Sequence, residues 1–418
     1  MQILHSLRGR STNPTISIVL FFAALALFIF LNADRQAYTS YFPHLADAFL
    51  HGRLGLLDAP SWMNELVPGS NGQLYVVYPP APAVLLMPFV AVFGPQFRQE
   101  YVSMALGGLN VVLVFHMLLA TRISTRGAVL IALTFAFGSV TWYAPSIGTA
   151  WHFAHVVSLF AMLCAIRSCQ RDSSLWVIGF FFALAGLSRL PMLAAAPFFV
   201  AYIVARSSRE GLPTQFTELV QAAYAVRRKH LGNFIANTAR FSGPVLMGFS
   251  MFGLYNAARF GSPLEPGYAL IPGLLQEDQY RNGFFSISNV VKKIHAMFLT
   301  SFTYDREFPW LKPKLLGGLS IFLTTPLVLW AIKARQFNLF VVGTWMAIGL
   351  ICVPILTHAD AGGSQWGFRY AQDFYPFIFL LIAHGTRGRF SFEAKCALGI
   401  GFVVNFLGMW AYYFDLWA

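Results

Sequence analysis

Residues 101–121 read YVSMALGGLNVVLVFHMLLAT, a run that contains no Asp, Glu, Lys or Arg. An apolar stretch of about 17–25 residues is long enough to cross a bilayer as a helix. Comparable stretches recur along the chain and predict about eleven crossings. They lie at about 13–32, 101–121, 127–144, 150–166, 175–188, 190–205, 242–258, 315–332, 338–356, 373–386 and 396–414.

The composition of the 418 residues agrees with these spans. Apolar residues make up 57% of the chain and charged residues only 11%, whereas a soluble domain carries about 25% charged residues. A soluble enzyme and a disordered chain are therefore excluded. The expected fold is an all-α integral membrane protein with a single polytopic domain over residues 1–418.

The net charge of +12 is distributed as short basic turns between the apolar stretches. Basic loops mark the cytoplasmic side of a membrane protein, and no folded basic face for nucleic acid is apparent. This places the N-terminus in the cytoplasm, with a cytoplasmic loop at about 206–240 and outer loops at about 33–100, 259–314 and 357–372. The basic turns are Arg8/Arg10, Arg122/Arg126, Arg167/Arg171, Arg227-Arg228-Lys229, Lys333/Arg335 and Arg387/Arg389.

Three segments of the outer loops have the character of interfacial or re-entrant helices. Residues 79–93 begin with Pro79-Pro80 and are apolar throughout. All basic turns lie on the cytoplasmic side only if this stretch does not cross the bilayer. Apolar residues recur at helical spacing from Leu45 to Leu54, with Gly52 as a stop, and again from Val290 to Phe298. Both predict amphipathic helices that lie against membrane lipids.

In residues 75–94 (YVVYPPAPAVLLMPFVAVFG), a Pro-Pro step is followed by an apolar run that ends in Phe-Gly. This segment resembles the Pro-Pro…Phe-Gly segment of the GT-C glycosyltransferases, in particular the branch of the protein O-mannosyltransferases and the lipid A aminoarabinose transferases. Residues 255–268 (YNAARFGSPLEPGY) and 362–376 (GGSQWGFRYAQDFYP) resemble elements of bacterial multispanning proteins of this superfamily. Residues 45–54 and 138–155 are similar to that group as well. The resemblance covers most of the chain.

The resemblance implies a GT-C-like bundle that transfers a sugar from a polyprenyl-phosphate donor at the outer face. The acceptor would be a glycan, a lipid or a protein, and a carboxylate at the start of the first outer loop would deprotonate it. The family's position for that carboxylate falls near Ala37-Tyr38, and neither residue is a carboxylate. Asp34, one turn upstream, and Asp47, further along the loop, are therefore the catalytic candidates. The alternatives are a helix-end carboxylate for Asp34 and a surface pair with Arg53 for Asp47.

The lysine that precedes Pro-Pro in the family is Tyr78 here, which can donate a hydrogen bond but carries no charge. Arg189 and Arg369 are then the candidates for the donor phosphate. Arg189 can instead snorkel to headgroups. Asp373, four residues after Arg369, is a further substrate-binding candidate that would orient Arg369 towards the phosphate. The alternative for these two residues is a purely structural i, i+4 ion pair.

Two further substrate-binding candidates come from the same elements. Glu265 lies in a Gly/Pro-rich turn, where it binds the acceptor or caps the turn. Trp366 belongs to the late element, residues 362–376. No cofactor is firmly implied, and a divalent metal is the one candidate. His152 and His155 could bind it with Asp34 or Asp47, or be hydrogen-bonded residues at a helix start.

Two other functions remain open at the level of sequence. One is a lipid or polysaccharide transporter, although the polar residues gather in the outer loops rather than within the spans. The other is a non-catalytic relative that binds lipid phosphate. The expected location is the bacterial plasma (inner) membrane.

Overall fold

The structure, a computed structural model, describes residues 14–32, 40–207, 231–306, 310–312, 318–334, 338–360, 362 and 365–413. These residues are mainly helical. The helices are α1 (Pro14–Asn32), α2 (Tyr41–Leu50), α3 (Ala81–Phe93), α4 (Gln99–Leu119), α5 (Thr125–Phe137), α6 (Tyr143–Ile147), α7 (Ala150–Gln170), α8 (Leu175–Ser188), α9 (Ala196–Ser207), α10 (Leu231–Phe260), α11 (Asn289–Phe298), α12 (Ile321–Thr324), α13 (Leu339–Thr357), α14 (Tyr375–Thr386) and α15 (Phe392–Tyr413). Two antiparallel hairpins pair β1 (Leu66–Pro68) with β2 (Leu74–Val76) and β3 (Thr303–Tyr304) with β4 (Leu311–Lys312).

Within the described ranges, six helices are long and apolar enough to cross a membrane. They are Pro14–Asn32, Gln99–Leu119, Ala150–Gln170, Leu190–Ser207, Leu339–Thr357 and Phe392–Ala411. Shorter apolar helices cover Ala81–Phe93, Thr125–Phe137, Leu175–Ser188 and Tyr375–Thr386. The chain is therefore an integral membrane protein, and its total of about eleven crossings stays a prediction.

Three predicted spans do not form single α-helices. In 190–205, a 3-10 helix over Leu190–Ala195 precedes α9. In the described part of 315–332, α12 ends at Thr324 and a 3-10 helix runs over Pro326–Lys333. Proline disfavours the α conformation at the residue before it, and Thr325 has φ −144°. In 127–144, α5 ends at Phe137 because Gly138 and a Ser139 turn follow, with the Ser139 hydroxyl donating to the Phe135 carbonyl at 2.6 Å.

The first predicted surface helix is displaced and more deeply packed than expected. It is α2, which begins at Tyr41 and has Pro43 in its first turn, where proline is tolerated. The helix ends before Gly52, whose φ is +69°. Its apolar face is buried against α3 and not free to lie on lipid; the buried residues are Tyr41, Phe42, Pro43, Leu45, Ala46 and Ala48.

The core has two main parts. Phenylalanines such as Phe115, Phe135 and Phe198 fill the helical bundle. A second cluster joins α2, the β1–β2 hairpin and α3 to the start of α7, with Val76 and Phe153 completely buried. This second cluster holds the hairpin of the first loop firmly on one end of the bundle.

Turns that the sequence assigns to the cytoplasm meet at the other end. The Ser124 hydroxyl donates to the Gly388 carbonyl at 3.5 Å, and the Gln170 amide donates to the Met117 carbonyl at 3.1 Å. Most of the predicted cytoplasmic loop, residues 208–230, lies outside the described residues.

Candidate functional site

A cavity of about 570 Å³ lies between the bundle and the three segments predicted as outer loops. Its walls come from the residue before β1, the residues after β2, the start of α7, the α8–α9 junction, the segment after α10 and the end of α13. Charged or ionisable lining residues are Glu65, Tyr78, Arg189, Glu265, Tyr268, Tyr280, His358, Asp360, Arg369 and Tyr370. Most of the lining surface is apolar, and these polar groups converge in it where the predicted outer loops meet the bundle.

Glu65 is the carboxylate that the hairpin brings to the cavity. The register pairs Leu66 with Val76, so Glu65 and Tyr78 lie near each other at the same end of the hairpin. The Tyr78 hydroxyl donates to Glu65 Oε2, and Trp151 Nε1 donates to the same oxygen at 3.4 Å. No described donor reaches Oε1. Glu65 therefore has one oxygen held by donors and one available to a ligand.

The environment of Glu65 shifts the pKa of its carboxyl upward. Burial raises the pKa of the carboxyl, and the hydrogen bonds from Tyr78 and Trp151 and the charge of Arg369 only partly oppose this. A carboxylate whose pKa has moved towards neutrality is suited to take and release a proton.

Arg369 is a cation of the cavity that forms no ion pair with a carboxylate of the described residues. It begins the 3-10 helix Arg369–Asp373 and is only 8% exposed. Its guanidinium carbon lies 5.3 Å from the Tyr370 ring centroid and 6.0 Å from that of Trp151. Nε is buried without a hydrogen-bond partner in the described part of the chain. A buried guanidinium with a free donor is an anion-binding group.

Asp360 also lines the cavity and is held in its charged form. Burial alone would raise the pKa of Asp360, but Arg369, the Gly362 N–H at 2.9 Å and Lys293 lower it below its usual value. Lys293 of α11 is 1% exposed and donates to the Asp360 carbonyl, and burial lowers the pKa of this lysine to about 8.

The predicted ion pair between Arg369 and Asp373 is wrong. Arg189 binds Asp373 instead, with Nε and Nη2 donating to Oδ1 and Oδ2 at 2.8 and 2.9 Å. His155 Nδ1 completes the arrangement at 3.0 Å from Oδ1. The i, i+4 geometry required an α-helix, whereas residues 369–373 form a 3-10 helix. Arg189 lines the cavity, but its charge is matched by a fully buried carboxylate.

Asp47, one of the two carboxylates predicted as catalytic, does not reach the cavity. Asp47 pairs with Arg53 at 3.4 Å and with His51 at 3.5 Å, and it does not line the cavity. The alternative of a surface pair is confirmed. Asp34 lies outside the described residues.

The remaining predicted binding residues divide between the cavity and the core. Tyr78 lines the cavity, and so does Glu265, whose Oε1 also accepts the Gly267 N–H at 2.7 Å and caps its own turn. Trp366 is 3% exposed in a separate cluster with Phe302 and Leu319. Trp366 is therefore placed as a packing residue and not as a wall of the cavity.

The two histidines are each hydrogen-bonded through Nδ1 to a neighbouring side chain. His152 Nδ1 lies 2.6 Å from the Thr149 hydroxyl, and His155 is occupied by Asp373. Within the described ranges, no group of three or more His, Cys, Asp or Glu side chains is arranged to hold a metal ion. The hydrogen-bonded alternative agrees with these contacts.

Sequence reasoning missed Glu65, Asp360 and Lys293. The signal for Glu65 was present, because Asn71-Gly72 between two short apolar runs predicts a hairpin. Pairing these runs would have placed Glu65 beside Tyr78. Asp360 and Lys293 carry no such local signal, since a contact between α11 and the segment after α13 joins them.

Comparisons with known proteins add the following. The chain matches no protein-family model, and no curated protein matches it. Among solved structures, the chain is similar to the S. cerevisiae protein O-mannosyltransferase Pmt1-Pmt2 complex bound to the sugar donor, at 13% sequence identity and a TM-score of 0.36. The similarity covers 76% of this chain, and the chain spans 40% of the length of that yeast chain.

Proposed function

We propose that this protein is a membrane-embedded glycosyltransferase that moves a sugar from a polyprenyl-phosphate donor to an acceptor hydroxyl in the cavity. The observation that carries the proposal is the presence of Glu65 and Arg369 in one cavity without an ion pair between them. A base and a phosphate-binding cation are the two groups that such a transfer needs. The sequence motifs that resemble GT-C enzymes support the same reading.

The reaction is an inverting displacement. The acceptor hydroxyl gives its proton to Glu65 Oε1 while its oxygen bonds to the anomeric carbon of the sugar. The bond from that carbon to the phosphate oxygen breaks, and the electron pair stays on the phosphate. Arg369 stabilises this departing charge by hydrogen bonding in a site of low water content.

Trp151 sets the distance between the base and the cation. Its indole N–H donates to Glu65, while its ring lies beside the Arg369 guanidinium. The two charged groups are thus kept from neutralising each other, and a sugar ring can contact the aromatic face between them. Asp360 orients Arg369 by charge.

The proposed topology follows the charge distribution of the sequence. The basic turns face the cytoplasm, together with the N-terminus, and the cavity faces the outside of the plasma membrane. The acceptor is then a glycan, lipid or protein of the cell envelope.

The purified protein in liposomes is the material for the test. Undecaprenyl-phosphate-linked sugars, radiolabelled in the sugar, are supplied with a crude envelope fraction as acceptor. We expect label in the acceptor and release of undecaprenyl phosphate, loss of both in Glu65→Gln, and retention of both in Glu277→Gln, whose side chain is exposed and does not line the cavity. Movement of intact donor across the bilayer without transfer would instead identify a transporter. Donor binding without release would identify a non-catalytic relative.

A further inference from the structure

The segment YNAARFGSPLEPGY, residues 255–268, contributes Glu265 and Tyr268 to the cavity wall, but its arginine lies elsewhere. Arg259 belongs to the last turn of α10 and is 7% exposed. A buried arginine that is not used by a ligand has to be explained by what it holds.

The Arg259 guanidinium is used entirely within the protein. Nη1 donates to the Val76 carbonyl at 2.6 Å, and Nη2 donates to Asn256 Oδ1 at 2.9 Å. The guanidinium carbon lies 3.6 Å from the Tyr255 ring centroid and 4.4 Å from that of Phe260. No ion pair with a described carboxylate accompanies these contacts. The charge is therefore satisfied by a backbone carbonyl of the hairpin and by two aromatic faces.

Val76 is the point from which Glu65 is positioned. It pairs directly with Leu66, the residue after Glu65, and it precedes Tyr78 by two positions. The hydrogen bond from Arg259 to Val76 thus holds β2, which leads to Tyr78, the donor to Glu65. Through the pairing of Val76 with Leu66 it also holds β1, which begins directly after Glu65.

Neighbouring contacts tie the same two segments together. The Phe260 ring meets Tyr75 edge to face at 5.7 Å, and the Tyr268 ring meets Tyr78 at 6.2 Å. Gly267 has φ +92°, and a Cβ there would lie 2.4 Å from the Phe260 ring. The backbone after α10 can approach Phe260 this closely only because residue 267 is glycine.

We infer that Arg259 is a positioning residue, which anchors the β1–β2 hairpin to the end of α10 and so sets the place of the Glu65 carboxylate relative to Arg369. This inference rests on the proposed function for its catalytic consequence, but not for its structural one. A displacement of about 1 Å at a reacting group can cost about 10²-fold in rate. Loosening the anchor is therefore expected to lower turnover about 10²-fold without removing a group that touches substrate.

The test follows the Glu65 carboxyl itself in the full-length protein. A hydrophobic carbodiimide modifies protonated buried carboxyls, and mass spectrometry of the Glu65 peptide over a pH series gives a labelling midpoint. Besides Glu65, the groups that set this midpoint are Tyr78, Trp151, Arg369 and Asp360. Arg259→Met keeps an apolar stem between the aromatic rings, and Arg281→Met at an exposed arginine is the matched control.

We expect Arg259→Met to remain folded, to shift the Glu65 labelling midpoint and to reduce release of undecaprenyl phosphate about 10²-fold with the donor KM nearly unchanged. Arg259→Lys should restore part of both properties, and Arg281→Met should match the wild type. A labelling curve for Arg259→Met that superimposes on the wild type overturns the inference. If Arg259→Met does not fold, an unshifted midpoint in folded Arg259→Lys overturns it equally. A shifted midpoint in a protein whose wild type transfers no sugar supports the anchor and refutes the glycosyltransferase proposal.

Discussion

Two groups of charged side chains lie at the same end of the bundle and differ in how completely they are paired. The closed cluster consists of Arg189, Asp373 and His155, and its carboxylate is fully buried and held by three hydrogen bonds. The open cluster consists of Glu65, Asp360 and Arg369. In it, Glu65 keeps one oxygen without a described donor, and Arg369 Nε has no partner among the described residues.

The difference follows from what supports each cluster. The closed cluster joins α7, the α8–α9 junction and the segment before α14, so its contacts hold apolar helices together where water is scarce. The open cluster is carried by the first hairpin, by the segment after α13 and by the first residue of the 3-10 helix Arg369–Asp373, whose last residue belongs to the closed cluster. The pairing of Arg189 with Asp373 therefore indicates a structural role, whereas the incomplete pairing of Glu65 and Arg369 leaves these two groups available to a ligand.

The largest expected effect on stability lies in the closed cluster. Asp373→Ala leaves Arg189 buried without its carboxylate, and we expect the free energy of unfolding to fall by about 3–5 kcal/mol. Unfolding in mixed micelles measures it. Asp47→Ala removes only a partly exposed pair with Arg53 and should change stability by no more than about 1 kcal/mol. Equal stabilities for Asp373→Ala and the wild type would erase the distinction between the two clusters.

The next effect concerns anion binding by the open cluster. Arg369→Met removes a buried guanidinium from the phosphate, and we expect the affinity for undecaprenyl phosphate to weaken by about 2–4 kcal/mol, or about 30–1000-fold. Equilibrium binding in nanodiscs gives the value, and Arg281→Met is the control. Unchanged affinity in Arg369→Met would mean that another cation holds the phosphate.

A smaller effect on the pH dependence of activity is expected from the hydrogen bond that Tyr78 donates to Glu65 Oε2. Tyr78→Phe removes a hydrogen bond that stabilises the charged carboxylate, so the pKa of Glu65 should rise further above its usual value. Since the base acts in its deprotonated form, the acidic limb of the pH–rate profile should move to higher pH. Tyr304→Phe, at a tyrosine that is 80% exposed, should leave the profile unchanged. A shift to lower pH would show that Tyr78 does not donate to Glu65.

Sequence reasoning succeeded where a property is local to one segment. The first span was predicted at 13–32 and is found at Pro14–Asn32, because uninterrupted apolarity is sufficient to define such a helix. The stretch after Pro79-Pro80 likewise forms the short helix α3, about 20 Å long at 1.5 Å per residue. Pro326 shows the limit, since one residue changed a predicted span into two short helical segments.

Partnerships between distant segments were not accessible in the same way. Arg189 and Arg369 were both recognised as candidate cations, but the choice of Asp373 by Arg189 depends on contacts across 184 positions. Glu65 has no family motif of its own, and its role emerges only when the hairpin register is known. Trp366 and Arg369 belong to the same sequence element, yet Trp366 packs in a hydrophobic cluster whereas Arg369 lines the cavity.

The identity of the general base is the central claim, and single-turnover release of undecaprenyl phosphate tests it most directly. Glu65→Gln, Asp34→Asn and Asp47→Asn are compared at saturating donor, each substitution keeping the shape of its side chain. We expect Glu65→Gln to be slower than the wild type by about 10²–10⁴-fold, the range for loss of a general base, with the other two variants close to the wild type. Full activity in Glu65→Gln together with an inactive Asp34→Asn would contradict the account and place the base at the start of the first outer loop.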